Sequence, residues 1–156
     1  MEIRPVIDWI INTYLDNHRE KTLKHVKAVA GTAVWLAGLH RLDPEKAETA
    51  AMLHDISVIM TPQQMYEEAQ KRKMKINPAE EKYHFLLHQR ISEVIASERF
   101  GITDTDILNT VACHTTLRKD AGPYDKTLFI ADKICCDQEG LPPYFDTLKQ
   151  LAEKIA

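Results

Sequence analysis

Residues 50–55 read Ala-Ala-Met-Leu-His-Asp, and the fold turns on how this stretch is understood. Upstream, Asp43-Pro44 places a capping carboxylate before a proline suited to the first helical position, which predicts a helix start. Ala47, Ala50, Ala51 and Leu53 then recur at helical spacing, so the segment should bury an apolar face. His54-Asp55 puts an imidazole and a carboxylate at the end of that face. Two metal-ligand residue types side by side on a buried surface need a common partner.

Candidates for that partner's other contacts lie on four further predicted helices. His25 shares a face with Thr22, Val29 and Thr32, and His88 with Ile91, Ser92 and Ile95. His114 shares one with Ile107, Thr110 and Val111, and Asp132 with Leu128, Phe129 and Cys136. A lone histidine on an apolar face is more often a core residue hydrogen-bonded to backbone than a ligand. The set changes the balance, because burying so many imidazoles and two carboxylates without partners would cost several kcal/mol apiece, about what coordination removes. Convergence of all six gives a buried N/O-type metal centre. His18 and His40 fall at helix ends and are expected to be structural or exposed, while His84 lies one turn before His88.

The remaining punctuation is helical throughout. Thr61-Pro62 and Asn77-Pro78 repeat the cap-proline pattern, Val6 to Leu15 and Arg19 to His40 carry helical apolar spacing, and Leu86 to Phe100 should be a helix ended by Gly101. Thr103 can cap a helix over Ile107 to Thr115, Asp125 one over Thr127 to Cys136, and Pro142-Pro143 opens a last helix to Ile155. No strand-like alternation competes. The expected fold is an all-α, single-domain helical bundle over residues 1–156 with a metal site in its core.

Composition narrows the functional classes. A formal charge of −3 over 156 residues gives no basic field for duplex nucleic acid. No apolar run approaches the roughly 18 residues of a membrane span, and Val6 to Ile11 lacks the basic start of a signal peptide, so a cytoplasmic protein is expected. Three cysteines, two of them adjacent at Cys135-Cys136, suit packing thiols rather than disulfides. Lys71-Arg72-Lys73 reads as a solvated helix end.

The order His25, His54-Asp55, Asp132 resembles the HD-domain metal-dependent phosphohydrolases. The finer pattern is similar to the YqeK-type symmetrical diadenosine tetraphosphate hydrolases, in L-x-x-H-V-x-x-V-A around His25, A-A-M-L-H-D, a separate His88, A-C-H-T-T at His114 and A-D at Asp132. The resemblance implies an HD-type fold and a nucleotide substrate, diadenosine tetraphosphate split symmetrically to two ADP. It also implies two divalent ions, iron favoured, with manganese or magnesium as alternatives. His25, His54, Asp55 and Asp132 would hold one ion and His88 and His114 the other. Asp55 would bridge, because a carboxylate has two acceptor oxygens, and His54 and Asp55 form the catalytic pair. A homodimer is compatible with this reading.

Arg118, Lys119, Lys126 and Lys133 are the cations that could meet substrate phosphate. Family members commonly follow His-Asp with a tyrosine and then a lysine, where this chain has Ile56-Ser57-Val58. They have a glycine where it has Leu117, and I-E-P with an arginine in place of Lys133 to Gln138. Competing functional classes are an HD-type nucleoside monophosphate phosphatase and a non-catalytic metal- or nucleotide-binding module.

Overall fold

The computed structural model describes residues 3–135 and 145–154. Among these the chain is helical: α1 (Ile3–Asp16), α2 (Glu20–Leu39), α3 (Pro44–Leu53), α4 (Pro62–Lys71), α5 (Pro78–Lys82), α6 (His88–Glu98), α7 (Thr105–Ala112), α8 (Pro123–Ile134) and α9 (Phe145–Lys154). Two single 3₁₀ turns, Ile56–Ile59 and His84–Leu87, precede α4 and α6. The all-α bundle expected from the sequence is the observed fold. None of the described helices is long and apolar enough to cross a membrane.

The long helix α2 packs along α3 and, on another side, against α8. Small residues make the first contact, since Ala33, Ala37, Ala50 and Ala51 are buried and let two backbones approach closely. Val26, Val29 and Leu36 of α2 join Leu53, Ile91, Val111 and Leu128 in one apolar cluster. This core encloses the inner ends of α3, α7 and α8, where the polar candidates sit.

Caps follow the sequence where a proline marks the start. Asp43 accepts from the Glu45 amide, and Thr61 with Gln64 and Asn77 with Glu80 form reciprocal capping boxes. Other boundaries shift. Asp104, not Thr103, caps α7, its carboxylate taking the amides of Asp106 and Ile107. Asp125 does not open α8, because Pro123 starts it one turn earlier. The Asp125 carboxylate reaches back to accept from the Gly122 amide at 2.8 Å. A 3₁₀ turn replaces the expected start of α6 at Leu86, and α7 stops at Ala112 rather than Thr115. The ends of the last predicted helix, with Cys136, lie outside the described residues.

α1 docks through Ile10 and Tyr14, both fully buried. The Tyr14 hydroxyl donates to the Met52 carbonyl at 3.0 Å, one of the last four carbonyls of α3, which no helical amide can satisfy. Removing that donor leaves a buried acceptor unpaired. Tyr14→Phe is therefore expected to lower stability by about 1–3 kcal/mol, read as a fall of several degrees in thermal melting. An unchanged melt would remove Tyr14 from the anchoring of α3.

Candidate metal centre

All six sequence candidates meet at one place. Asp55 lies between two groups of rings. Its Oδ2 is 3.3 Å from His54 Nε2 and 3.8 Å from His25 Nε2, and its Oδ1 is 3.4 Å from His114 Nε2 and 3.8 Å from His88 Nε2. Asp132 closes the first group, with Oδ1 3.0 Å from His25 Nε2 and 3.5 Å from His54 Nε2. In the second, His88 Nε2 and His114 Nε2 are 3.1 Å apart. The ligand atoms of His25, His54 and Asp55, and those of Asp55, His88 and His114, form two sets close enough to surround an ion each.

Ring direction is set by the backbone. His54 Nδ1 donates to the Ala51 carbonyl at 2.6 Å, His88 Nδ1 to Phe85 at 2.8 Å and His114 Nδ1 to Val111 at 2.8 Å, in every case three residues back. His54 and His114 sit just beyond the ends of α3 and α7 rather than within helices, and their N–H groups complete carbonyls that the helices leave open. A carbonyl only accepts, so Nδ1 carries a proton, and whenever the ring is neutral Nε2 presents the lone pair. Second contacts of this kind are what metal-binding histidines use to fix tautomer and orientation.

That assignment tests whether the residues fit a metal. His54 Nε2 is fully buried, faces two carboxylates, and makes no hydrogen bond. The paired His88 and His114 lone pairs likewise face each other. Lone pairs turned on carboxylates and on one another repel unless a proton or a metal ion lies between them. Burial alone would lower the His54 pKa, but the Asp55 and Asp132 carboxylates outweigh it and push the imidazole up to about 10. Burial likewise opposes ionisation of Asp55, which the charges of His54 and His114 nonetheless hold well below the usual carboxylate range. His88 moves the other way, lowered by burial and by His114. The donor set fits divalent ions of the N/O class, and among the described residues no thiolate takes part.

Side-chain exposure defines an entrance. His54 and His114 are buried at 0% and 1%, whereas the Asp55 and Asp132 carboxylates are 21% and 19% exposed. Imidazoles form the floor, and the carboxylates open toward solvent.

Sequence reasoning passed over several residues that hold this arrangement. Gln89, buried beside His88, accepts the Thr115 amide at 3.0 Å and donates to Thr116 Oγ1 at 3.1 Å, pinning the turn after His114. Ser57 Oγ donates to the His88 carbonyl at 2.8 Å and receives Ser92 Oγ at 2.9 Å. The only clue in the sequence was adjacency, Gln89 to His88 and Ser57 to the His-Asp pair. The outlying histidines stay apart: His84 stacks on Tyr66, and His40 caps α2. Among the proposed phosphate cations, Arg118 is committed to Asp125 at 2.8 Å, and the Lys133 ammonium lies over the Phe129 ring. Lys119 is exposed in the loop before α8. Lys126 is six residues, about 9 Å of helix, before Asp132 and lines a separate apolar cavity with Leu36 and His40. Arg72 pairs with Glu68 and Glu98, as expected of a solvated helix end.

The family model described as HD domain matches residues 22–136. The chain belongs to the HD domain family. It is 30% identical over 127 residues to a symmetrical bis(5'-nucleosyl)-tetraphosphatase of Halalkalibacterium halodurans, covering 80% of this chain and 65% of that protein. A protein of the same name from Staphylococcus aureus is 31% identical over 115 residues, covering 74% and 59%. The chain thus spans less than two thirds of the length of either relative. Among solved structures, an HD superfamily hydrolase described as involved in NAD metabolism, from Clostridium acetobutylicum, superposes with a TM-score of 0.85 at 31% identity, covering 94% of this chain and 77% of that one.

Leu117, where the family resemblance leads one to expect glycine, adopts a φ of +57°. The left-handed turn after the histidine is thus made by a residue that it disfavours by roughly 1–2 kcal/mol. Leu117→Gly is expected to leave stability unchanged or raise it by up to about 1 kcal/mol, and β-branched Leu117→Val to lower it. Thermal melts giving the reverse order would show that Leu117 packing outweighs its backbone.

Proposed function

We propose that residues 1–156 form one HD-type domain that hydrolyses nucleotide phosphate bonds with two divalent ions, acting on diadenosine tetraphosphate to give two ADP. The observation that carries this reading is the division of the Asp55 carboxylate between two sets of imidazoles, each of whose Nε2 atoms lies within 3.8 Å of one of its oxygens. His25, His54, Asp55 and Asp132 would hold one ion, His88 and His114 the other, with Asp55 shared. Iron is the ion we assign, with manganese or magnesium able to substitute at N/O donors. We place the enzyme in the cytoplasm, where the buried Cys113 thiol stays reduced.

Bound divalent ions would supply acidified water and charge neutralisation at the phosphoryl oxygens. The protein does the rest. Asp55 sets the separation of the two halves because one rigid carboxylate serves both. The Nδ1 hydrogen bonds hold the His54, His88 and His114 imidazoles with Nε2 inward, so little reorganisation of these rings accompanies substrate entry. The Gln89 amide keeps Thr115 beside His88, with Oγ1 3.1 Å from Nε2. The exposed carboxylate edge admits a phosphate while the imidazole floor excludes bulk water.

The names of the relatives support a dinucleoside tetraphosphate as substrate, and the commitment of Arg118 to Asp125 favours a less highly charged nucleotide. A nucleoside monophosphate phosphatase is therefore the second reading. Chromatography of products from a nucleotide panel with iron- and manganese-loaded protein separates the two, since ADP from diadenosine tetraphosphate supports the first and orthophosphate from monophosphates the second. No hydrolysis of any nucleotide would leave a binding module.

Metal analysis of gently purified protein is expected to find up to two ions per chain, with His88→Ala and His114→Ala each losing one preferentially. Uniform loss of all metal in every single variant would count against two sites. Asp55→Asn should reduce turnover more than His88→Ala, by at least about a hundredfold, since it disturbs both halves. Turnover within a few-fold of wild type would remove Asp55 from the mechanism.

A further inference from the structure

Large apolar side chains left exposed among the described residues are concentrated in one turn. Tyr83, Phe85 and Leu86 directly precede His88, whereas Trp9, Leu15, Trp35 and Leu151 are spread over α1, α2 and α9. Exposed apolar area is unfavourable by about 25 cal/mol per Å², and a concentration of it beside a polar centre marks a binding surface.

Phe85 connects this surface to the metal centre. Its ring lies parallel to the His88 imidazole, with centroids 4.5 Å apart and planes at 10°, yet the residue remains 49% exposed. His88 Nε2 is in turn 3.8 Å from Asp55 Oδ1, so one imidazole separates the open aromatic surface from the bridging carboxylate. The neighbouring rings are engaged differently. Tyr66 is stacked on His84 at 4.0 Å, and the Tyr83 ring carries the Lys82 ammonium at 5.2 Å.

A nucleotide has the same layout, a phosphate and a flat π-surface separated by one sugar. We propose that Phe85 stacks the nucleobase of the nucleotide whose phosphate is bound at the His-Asp cluster. This rests on the nucleotide reading above and adds to it the residue that recognises the base. Stacking is tolerant of base identity because every base has a π-face, and the larger purine surface overlaps more of the ring. Selection of a nucleotide over a bare polyphosphate would thus come from Phe85 rather than from a cation.

Calorimetric titration of the manganese-loaded full chain with ADP and with inorganic pyrophosphate tests the assignment, in wild type, Phe85→Ala, Phe85→Leu and Phe85→Trp matched for metal content. Wild type is expected to bind ADP at least about tenfold more tightly than pyrophosphate. In Phe85→Ala and Phe85→Leu the advantage should fall to within about threefold, and Phe85→Trp should restore it. Etheno-ADP fluorescence should be quenched by wild type and Phe85→Trp but not by Phe85→Ala. Phe85→Leu keeps an apolar side chain against His88, so it separates stacking from mere bracing of the imidazole. An undiminished ADP advantage in either variant overturns the stacking role, as does equal affinity of wild type for the two ligands. Binding of neither ligand overturns the nucleotide reading and the base site together. A Phe85-dependent ADP advantage without turnover in the nucleotide panel would leave the base site standing and remove the catalytic reading alone.

Discussion

The hydrogen bond from ring Nδ1 to the carbonyl three residues back, made by His54, His88 and His114, is the constraint on which this centre depends. A neutral imidazole has one N–H and a carbonyl can only accept, so the bond fixes tautomer and ring direction in one step. Two of the carbonyls, of Ala51 and Val111, belong to the ends of α3 and α7, where helical bonding runs out. The unfinished hydrogen bonding of a helix terminus thus becomes the device that aims a lone pair.

Aiming is useful only if the helix ends are held in place, and the packing does this at short range. Alanines at the α2–α3 contact let His25 approach the His54-Asp55 turn. Tyr14 fastens the Met52 carbonyl two residues before His54, Ser57 and Ser92 fasten the backbone of His88, and Gln89 fastens the turn that follows His114. Each link is a single hydrogen bond contributing about 1 kcal/mol, modest beside the apolar core. They act on position, and the 3.1 Å approach of His88 and His114 shows how closely it is set.

Most of the fold was legible in the sequence because proline punctuates it. Asp43-Pro44, Thr61-Pro62 and Asn77-Pro78 mark helix starts through a fixed φ and a capping side chain, and all three stand in the structure. Other boundaries moved by one to four residues, as at Asp104, Ala112 and the start of α8 at Pro123, since apolar spacing alone does not mark where a turn begins. Convergence of the six His and Asp side chains was legible for a related reason, as burial of that many polar groups needs a shared purpose. Gln89, Ser57 and Phe85 were not legible. An amide or hydroxyl gives no periodic signal, and an aromatic in a short turn looks like core until its exposure is known.

Two kinds of position have parted company in this chain. Those that orient imidazoles carry the His and Asp pattern that resembles the HD-domain family, and the turn after His114 is left-handed at Leu117. Those after His54-Asp55, where the resemblance leads one to expect a tyrosine and a lysine, face inward. Ser57 is a buried hydrogen-bond centre, Val58 packs against the core, and its carbonyl takes the Arg19 guanidinium at 2.7 Å. Val58 provides no charge for a phosphate, and the nearby arginine spends its Nε on backbone. On the proposed nucleotide reading, affinity would then rest more on the metal centre and on surface beyond the phosphates. The exposed turn over Tyr83 to Leu86 is where the chain has placed such surface, one imidazole away from Asp55.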